Sequence, residues 1–428
     1  MRALVVGNGG REHAIAWKLT QSDRIDHVYC VPGNGGTART PKCSNIAMEV
    51  TDFEGIERFA LVNNASLIVV GPEVPLAAGI TDVLQGKGLE IFGPTQAGAQ
   101  IESSKAWAKA LMETAKIPTA KAAVFTDAAS AIQYVKTEGA PIVVKADGLA
   151  AGKGVTVAQT VDEALEAIKD AFSGRFGDAG QRLVIEEFLT GQEVSVLAVT
   201  DGQAIRPLLP AQDHKTIGEG DIGANTGGMG AYAPTPVISL PLLERVQAEI
   251  LEPTLQALQN KGIDYRGVLY AGLIITPEGT PKVIEFNCRF GDPEIQAVLP
   301  LLDMPLDQLI LACTQQKLAD LPPIPWKEAA AACVVLSSGG YPDSYQKGYV
   351  ISGLADAEEK GAVVFHAGTK LVDGHVVTDG GRVLGVTGLG DTFEGAIAQA
   401  YKALASIKFE DSYYRRDIGH RVLQSKRM

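Results

Sequence analysis

Val283-Ile-Glu-Phe-Asn-Cys-Arg-Phe-Gly-Asp-Pro-Glu294 decides how this chain is read. As a β-strand it points successive side chains to opposite faces. One face then carries Glu285, Asn287 and Arg289, and the other Ile284, Phe286, Cys288 and Phe290. A carboxylate, an amide oxygen and a guanidinium thus stand in a row on a strand with an apolar back. Glu285 and Asn287 are hard oxygen donors of the kind that hold Mg²⁺ while substrate phosphates fill its other positions. Arg289 is spaced to fork onto a carboxylate or phosphate beside that ion. The plain alternative is a surface strand with a solvated polar face.

Working outward, Gly267–Ile275 and Lys282–Phe290 read as a hairpin closed by Pro277-Glu-Gly279. Further upstream, Pro141–Ala146 is a strand, Gly148-Leu-Ala-Ala-Gly-Lys-Gly154 a glycine-rich loop, and Val155–Ala158 the return strand. The loop is one residue short of a Walker A motif, and Gly154 stands where that motif needs Ser or Thr. Joining two strands, it reads instead as a flap whose N–H groups fold over phosphates, with Lys145 and Lys153 to neutralise charge. Helices are expected over Ser103–Ala115, Val161–Phe172 and residues 240–260, and a strand over Leu183–Phe188. At the end of that strand, the backbone of Glu186-Glu187-Phe188-Leu189 could meet an adenine edge, and Glu193 could accept from ribose hydroxyls. Gln212–Tyr232 reads as a polar loop able to close over a site; His214 within it is a weak candidate base. Leu321-Pro-Pro-Ile-Pro-Trp326 reads as a linker, followed by strands at Ala331–Leu336, Val363–His366 and Arg382–Thr387 and a helix near 393–406.

The first hundred residues alternate short apolar runs with Gly/Pro turns: Val6-Gly7, Pro32–Gly36, Gly71–Pro75 and Gly93-Pro94. This is the signature of an open parallel sheet, whose ligands sit beyond the carboxyl ends of the strands. Gly7-Asn-Gly-Gly-Arg-Glu-His13 opens a helix and is a candidate anion site. It is not the dinucleotide fingerprint, because Glu12 stands where a small residue is required and no acid closes the second strand.

A length of 428 residues allows about three domains. Five cysteines, none in a CxxC pair, fit reduced thiols in a cytoplasm rather than a disulfide framework or zinc site. A net charge of −12 argues against a nucleic-acid partner. There is no apolar run long enough for a membrane span and no signal peptide, so a cytoplasmic location is expected.

Taken together, these segments resemble the ATP-grasp ligases, and within them the glycinamide ribonucleotide synthetase family. The resemblance is carried by Val6-Gly-Asn-Gly-Gly-Arg-Glu-His-Ala14, Val70-Gly-Pro-Glu73, Phe92-Gly-Pro-Thr95, Lys145–Gly154, Gln212-Asp-His-Lys215, Asn225-Thr-Gly-Gly-Met-Gly-Ala-Tyr232, Glu285–Glu294 and His366-Ala-Gly-Thr-Lys370. It implies an α/β and α+β multidomain fold: an open parallel α/β sheet over 1–102, an ATP-grasp clamp over 103–325 with 121–190 as the smaller flap-bearing part, and a mixed β/α domain over 326–428. It implies that ATP, 5-phosphoribosylamine and glycine give ADP, phosphate and glycinamide ribonucleotide through glycyl phosphate, with transient contact with the enzyme that supplies the amine. By the same resemblance Glu285 and Asn287 hold Mg²⁺ or Mn²⁺, Lys105 and Lys145 touch phosphates, and Gly148, Gly152, Lys153 and Gly154 cover them. Glu186, Glu187, Phe188, Leu189 and Glu193 bind adenosine. Arg289 and Asp292 take the carboxylate and ammonium of glycine, and Asp213 and Lys215 lie near the acyl phosphate. Gly9, Gly10 and Arg11 take the phosphoribosyl phosphate, with Asn225, Thr226, Gly227 and Gly228 also contacting substrate.

One departure is that many relatives carry another acidic metal ligand on the paired strand, where Tyr270-Ala-Gly-Leu-Ile-Ile275 has none. The competing readings are an ATP-grasp ligase or carboxylase for another carboxylate, and a non-catalytic nucleotide-binding regulator. Intact Glu285, Asn287 and Arg289 weigh against the regulator.

Overall fold

The computed structural model describes residues 1–149, 154–175 and 177–425; Gly152 and Lys153 of the flap lie outside them. At the N-terminus five parallel strands run in the order Cys43–Asn45, His27–Pro32, Arg2–Gly7, Ala65–Val70, Glu90–Phe92. The expected open sheet is therefore present. Its central strands are apolar throughout because both faces are covered: Leu4 and Val6 enter one core, Ala3 and Val5 another. The first helix spans Gly10–Thr20. The Glu12 carboxylate turns back to accept the Gly9 N–H at 2.6 Å, the return half of a capping box.

Helices Gln96–Ser103 and Lys105–Thr114 follow, parted at Ser104, whose hydroxyl accepts the Trp107 N–H and caps the second. Helix Lys105–Thr114 therefore starts two residues later than expected. Next comes a four-stranded antiparallel sheet, in order Ala122–Phe125, Leu183–Glu187, Ile142–Ala146, Val155–Ala158. Helices Ala128–Glu138 and Val161–Asp170 bury Ala131, Val135, Ala164 and Ile168 against it. A second sheet is ordered Ile205–Pro207, Gln192–Asp201, Arg266–Ile275, Pro281–Asn287.

The decisive strand departs from its expected form in two ways. It ends at Asn287, so Arg289 lies just beyond it. It also carries a β-bulge: Gly272 pairs with Glu285, but Leu273 pairs with Val283, leaving Ile284 as the extra residue. A bulge shifts the inward–outward alternation by one residue. Val283, Phe286 and Cys288 therefore share one core, and Ile284 is not part of the apolar back. Its carbonyl accepts a hydrogen bond from Lys145 Nζ at 3.1 Å.

A five-stranded sheet joins Gln212–Asp213 and Gly230–Ala233 to Ala330–Ser337, Arg382–Gly390 and Val363–His366, with helix Phe393–Leu404 packed on it. The segment 212–232 is thus not an open loop. It begins and ends in this sheet, and a hairpin, Thr216–Gly218 with Ile222–Asn225, lies between. Arg415, fully buried, holds that hairpin through Thr216, Asp221 and Asp417. Nor is 321–326 a free linker. Arg206 grips the Leu321 and Pro322 carbonyls, and Asp303 N–H donates to the Pro325 carbonyl. The extended Pro-rich backbone cannot pair in a regular ladder, and here its carbonyls are taken by the Arg206 side chain and the Asp303 N–H instead.

Candidate active site

Glu285 sits opposite Gly272, where a Cβ would approach its Cγ to 3.2 Å. The glycine makes room for the carboxylate. Burial alone would raise the Glu285 pKa, but Lys215, Lys145, Lys105 and Arg289 outweigh it and hold the group below the usual range. Glu285 is therefore ionised at neutral pH and available as a ligand. Asn287 Oδ1 accepts one hydrogen bond from Arg289 at 3.1 Å, which leaves a second lone pair. Tyr270, not an acid, faces Asn287 across the pair. Among the described residues no cluster of three His, Cys, Asp or Glu forms a self-sufficient metal cage. Two oxygen donors within a ring of cations suit a hard divalent ion that arrives with phosphates and keeps its waters.

Around this point the polar side chains separate into two ends. At the end towards Gly148, Lys105 opens its helix and donates to the Gly148 carbonyl at 2.9 Å. Lys145 contacts Glu186 Oε2 at 2.7 Å, and Lys109 contacts Glu186 Oε1 at 3.1 Å. The Glu186 side chain is thus spent on two buried lysines. Its backbone is spent as well, since Glu186 pairs with Ala122 and Val143, and Glu187 N–H donates to Lys121. Phe188 and Leu189 follow just past the strand end at Glu187. Glu187 turns outward to Lys121 N–H and Lys282. Gly148 (φ +158°) packs against Ala179, where a Cβ would come within 2.6 Å. Glu193 pairs with Lys215 at 2.8 Å, which links strand Gln192–Asp201 to the 212–232 segment.

At the other end Arg289 lies between Glu102 (3.0 Å) and Glu73 (3.4 Å). Asp292 meets the glycine turn of the first strand: a Cβ on Gly9 would lie 3.3 Å from Asp292 Oδ2, and one on Gly10 2.6 Å from Gln296 Nε2. Arg11 points inward, to Glu12 and the Phe290 carbonyl. The side chain expected to hold a phosphate is therefore committed to the interior here. Gly228 (φ +112°) presses on Pro293, leaving no space for a Cβ. Thr226 caps this turn, its hydroxyl donating to the Lys215 carbonyl and accepting from Gly228 N–H, and Asn225 stands exposed on the neighbouring strand.

Several residues here escaped the sequence reading. Arg382, from the last sheet, donates to the carbonyls of Gly227 (2.6 Å), Gly228 (3.3 Å) and Asp292 (2.7 Å) and pairs with the Asp292 carboxylate at 3.2 Å. Burial would raise the Asp292 pKa, but Arg382 and Arg11 keep it low. Arg382→Ala should lower kcat/KM for the second acceptor by roughly 100-fold while the KM for nucleotide moves little, since a misplaced turn costs about that much. Equal losses for both would sink that view of Arg382.

Behind Glu285, Tyr270 OH donates to Glu294 (2.6 Å) and also meets Ser195 Oγ (2.8 Å). Asp213 lies in the same buried pocket. Burial drives its pKa up to about 7; Glu294 and Glu193 add to the rise, and Lys215 and Arg421 oppose it. With the folded value above the unfolded one, its contribution to stability is full below about pH 4 and is lost as pH rises through about 7. Asp213→Asn should therefore flatten the fall in Tm between pH 4 and 7. An unchanged slope would show that Asp213 titrates normally. His214 is no base: burial first, then Arg421 and Arg415, lower its pKa to about 3, and its Nε2 accepts the Gly419 N–H at 3.2 Å.

Three family models cover the chain in order: the N domain of phosphoribosylglycinamide synthetase over 1–102, its ATP-grasp (A) domain over 103–295 and its C domain over 331–421. The chain belongs to the phosphoribosylglycinamide synthetase family. It is an ATP-grasp ligase. A Nostoc phosphoribosylamine–glycine ligase is 66% identical over 423 residues, which is 99% of this chain and 100% of that one. A trifunctional purine biosynthetic protein, adenosine-3, from Gallus gallus is 50% identical over 99% of this chain and 42% of its own length. The crystal structure of phosphoribosylamine–glycine ligase from Thermotoga maritima superposes with a TM-score of 0.85 at 33% identity, covering 98% and 100% of the two chains. The biotin carboxylase domain of a Hydrogenobacter thermophilus 2-oxoglutarate carboxylase shares the fold at TM-score 0.73 and 15% identity, covering 96% and 91%. The phosphoribosylglycinamide synthetase family thus takes the place of the looser ATP-grasp alternatives. No helix of the described chain is long and apolar enough to cross a membrane.

Proposed function

We propose that this chain joins glycine to 5-phosphoribosylamine at the expense of ATP, forming glycinamide ribonucleotide, ADP and phosphate in purine biosynthesis in the cytoplasm. The observation that carries the reading is the ionised Glu285 ringed by Lys105, Lys145, Lys215 and Arg289, with Asp292 beyond it at the Gly9–Gly10 turn. A polyanion is drawn to the cationic ring, and an amino acid to the arginine–aspartate end. The substrates themselves are taken from the names of relatives that match over their full length. We assign residues 1–102 to the phosphoribosylamine, 103–325 to the nucleotide, and the last part from 326 to closing the acceptor end.

In the first step a glycine carboxylate oxygen attacks the γ-phosphorus, the bond to the bridging oxygen breaks, and ADP leaves. Lys105 and Lys145 balance charge on the phosphates, with Gly148, Gly152, Lys153 and Gly154 over them. Glu285 and Asn287 would hold a divalent ion, Mg²⁺ or Mn²⁺, which when bound offsets charge on the transferring phosphoryl oxygens. Phe188, Leu189 and Glu193 line the adenosine end. Arg289 and Asp292 orient glycine, with Asp213 and Lys215 beside the acyl phosphate. In the second step the amine nitrogen of phosphoribosylamine attacks the acyl carbon, and the phosphate departs with the amine proton. Positioning by Gly9, Gly10, the backbone of Arg11 and Asn225–Gly228 supplies most of what this step needs. The unstable amine favours brief contact with the enzyme that makes it.

The test is phosphate release from ATP with Mg²⁺ and glycine, with and without freshly generated phosphoribosylamine. Release requiring both acceptors is expected. Release driven by another carboxylate alone would keep the ligase chemistry but overturn the substrates.

A further inference from the structure

Lys109 is used by nothing in the mechanism above, yet it is among the best-satisfied buried cations of the chain. It leaves helix Lys105–Thr114 and contacts Thr119 Oγ1 at 2.8 Å, the Ala120 carbonyl at 3.1 Å and Glu186 Oε1 at 3.1 Å. Those three partners use up its three donors. The other oxygen of Glu186 takes Lys145 at 2.7 Å. All three side chains are more than nine-tenths buried. Lys145 also donates to the Ile284 carbonyl in the bulge, so among the described residues two of its three donors are engaged and one is left.

Charge counting gives this triad its meaning. Two ammonium groups and one carboxylate sum to +1. Lys109 cannot turn away without stranding three contacts, so the surplus charge is carried by Lys145, which faces Glu285 and Lys105. Without Lys109 the remaining Lys145–Glu186 pair would be neutral, and at low dielectric the carboxylate would hold Lys145 with both oxygens.

We propose that Lys109 is a positioning residue for nucleotide binding: by sharing Glu186 it leaves Lys145 a net positive charge to present to the phosphates of ATP. The proposal rests on the reading of Lys145 as a phosphate contact. It differs from a structural role in that the neutralised charge can be restored elsewhere in the triad.

The experiment measures ATP and adenosine affinity of the full-length protein by calorimetry. Lys109→Met should weaken ATP roughly 10-fold, about the worth of one contact to a charged group, with adenosine unchanged. Adding Glu186→Gln to that variant returns the triad to +1 and should restore ATP binding to within about 3-fold of wild type, the scatter of such single-contact effects. Lys109→Gln, which keeps a donor but no charge, is the second variant should Lys109→Met fold poorly, and the same rescue is expected. If ATP and adenosine weaken together, or Glu186→Gln brings no rescue, Lys109 is structural and the proposal fails. Lys145→Met separates the two readings. Loss of ATP affinity there without loss in Lys109→Met overturns the sharing alone, whereas unchanged affinity in Lys145→Met overturns the phosphate contact and the proposal with it.

Discussion

Glu285→Gln is expected to lower kcat by roughly 1000-fold or more, because a divalent ion held at the site is worth several kcal/mol and each decade of rate costs about 1.4 kcal/mol. The amide keeps the shape that Gly272 accommodates but cannot carry the charge that four cations hold ionised. Removing that anion leaves Lys105, Lys145, Lys215 and Arg289 facing one another, so Tm should fall while the unfolding transition stays cooperative. ATP should still bind, since the cationic ring is intact. Full activity at saturating Mg²⁺ would take Glu285 out of the metal site; a protein that no longer melts cooperatively would make it a structural residue instead.

Arg289→Ala carries the largest expected cost in stability. Arg289 contacts Glu102, Glu73 and Asn287 and also donates to the Phe290 carbonyl at 3.2 Å. Glu102 is 7% exposed, and burial already raises its pKa, with Arg289 the main influence holding it down. Stranding a buried carboxylate typically costs about 3–5 kcal/mol. Urea unfolding should show that loss at pH 8 and a smaller one near pH 5, where Glu102 can take a proton. Arg289→Lys should recover part of the stability but not the KM for glycine, because a point charge cannot serve two carboxylates and fork onto a third. A lysine variant with wild-type glycine kinetics would remove Arg289 from the acceptor site.

The readable parts of this protein were those written in local periods. The apolar runs of the N-terminal sheet, each ending in Gly/Pro, placed four of its strands. The 285–287–289 alternation put Glu285 and Asn287 together with the arginine. The bulge at Ile284 was not readable, because it is set by how Leu273 and Gly272 pair from the opposite strand. Arg382, Lys109 and Glu102 were missed for a related reason: each is a single charged residue whose partners lie 10 to 187 positions away. Two signals were present and passed over. Ser104 before an amphipathic run marks a helix start. Asp373-Gly374, with both residues at positive φ, marks the tight hairpin Thr369–Val372 with His375–Thr378.

The sheet that contains Arg382 is threaded by the chain twice, once at 212–233 and again from 330 onward. Strand Ala330–Ser337 is buried along its whole length and takes Gly230–Ala233 on one side and Arg382–Gly390 on the other. Cut away from what precedes it, the last hundred residues would present a long, flat, apolar edge to solvent, the kind that recruits a second copy and precipitates. This enzyme is therefore poorly suited to dissection at its C-terminal boundary: the tail is divisible from the body in sequence but is completed by a strand lent from the middle of the chain.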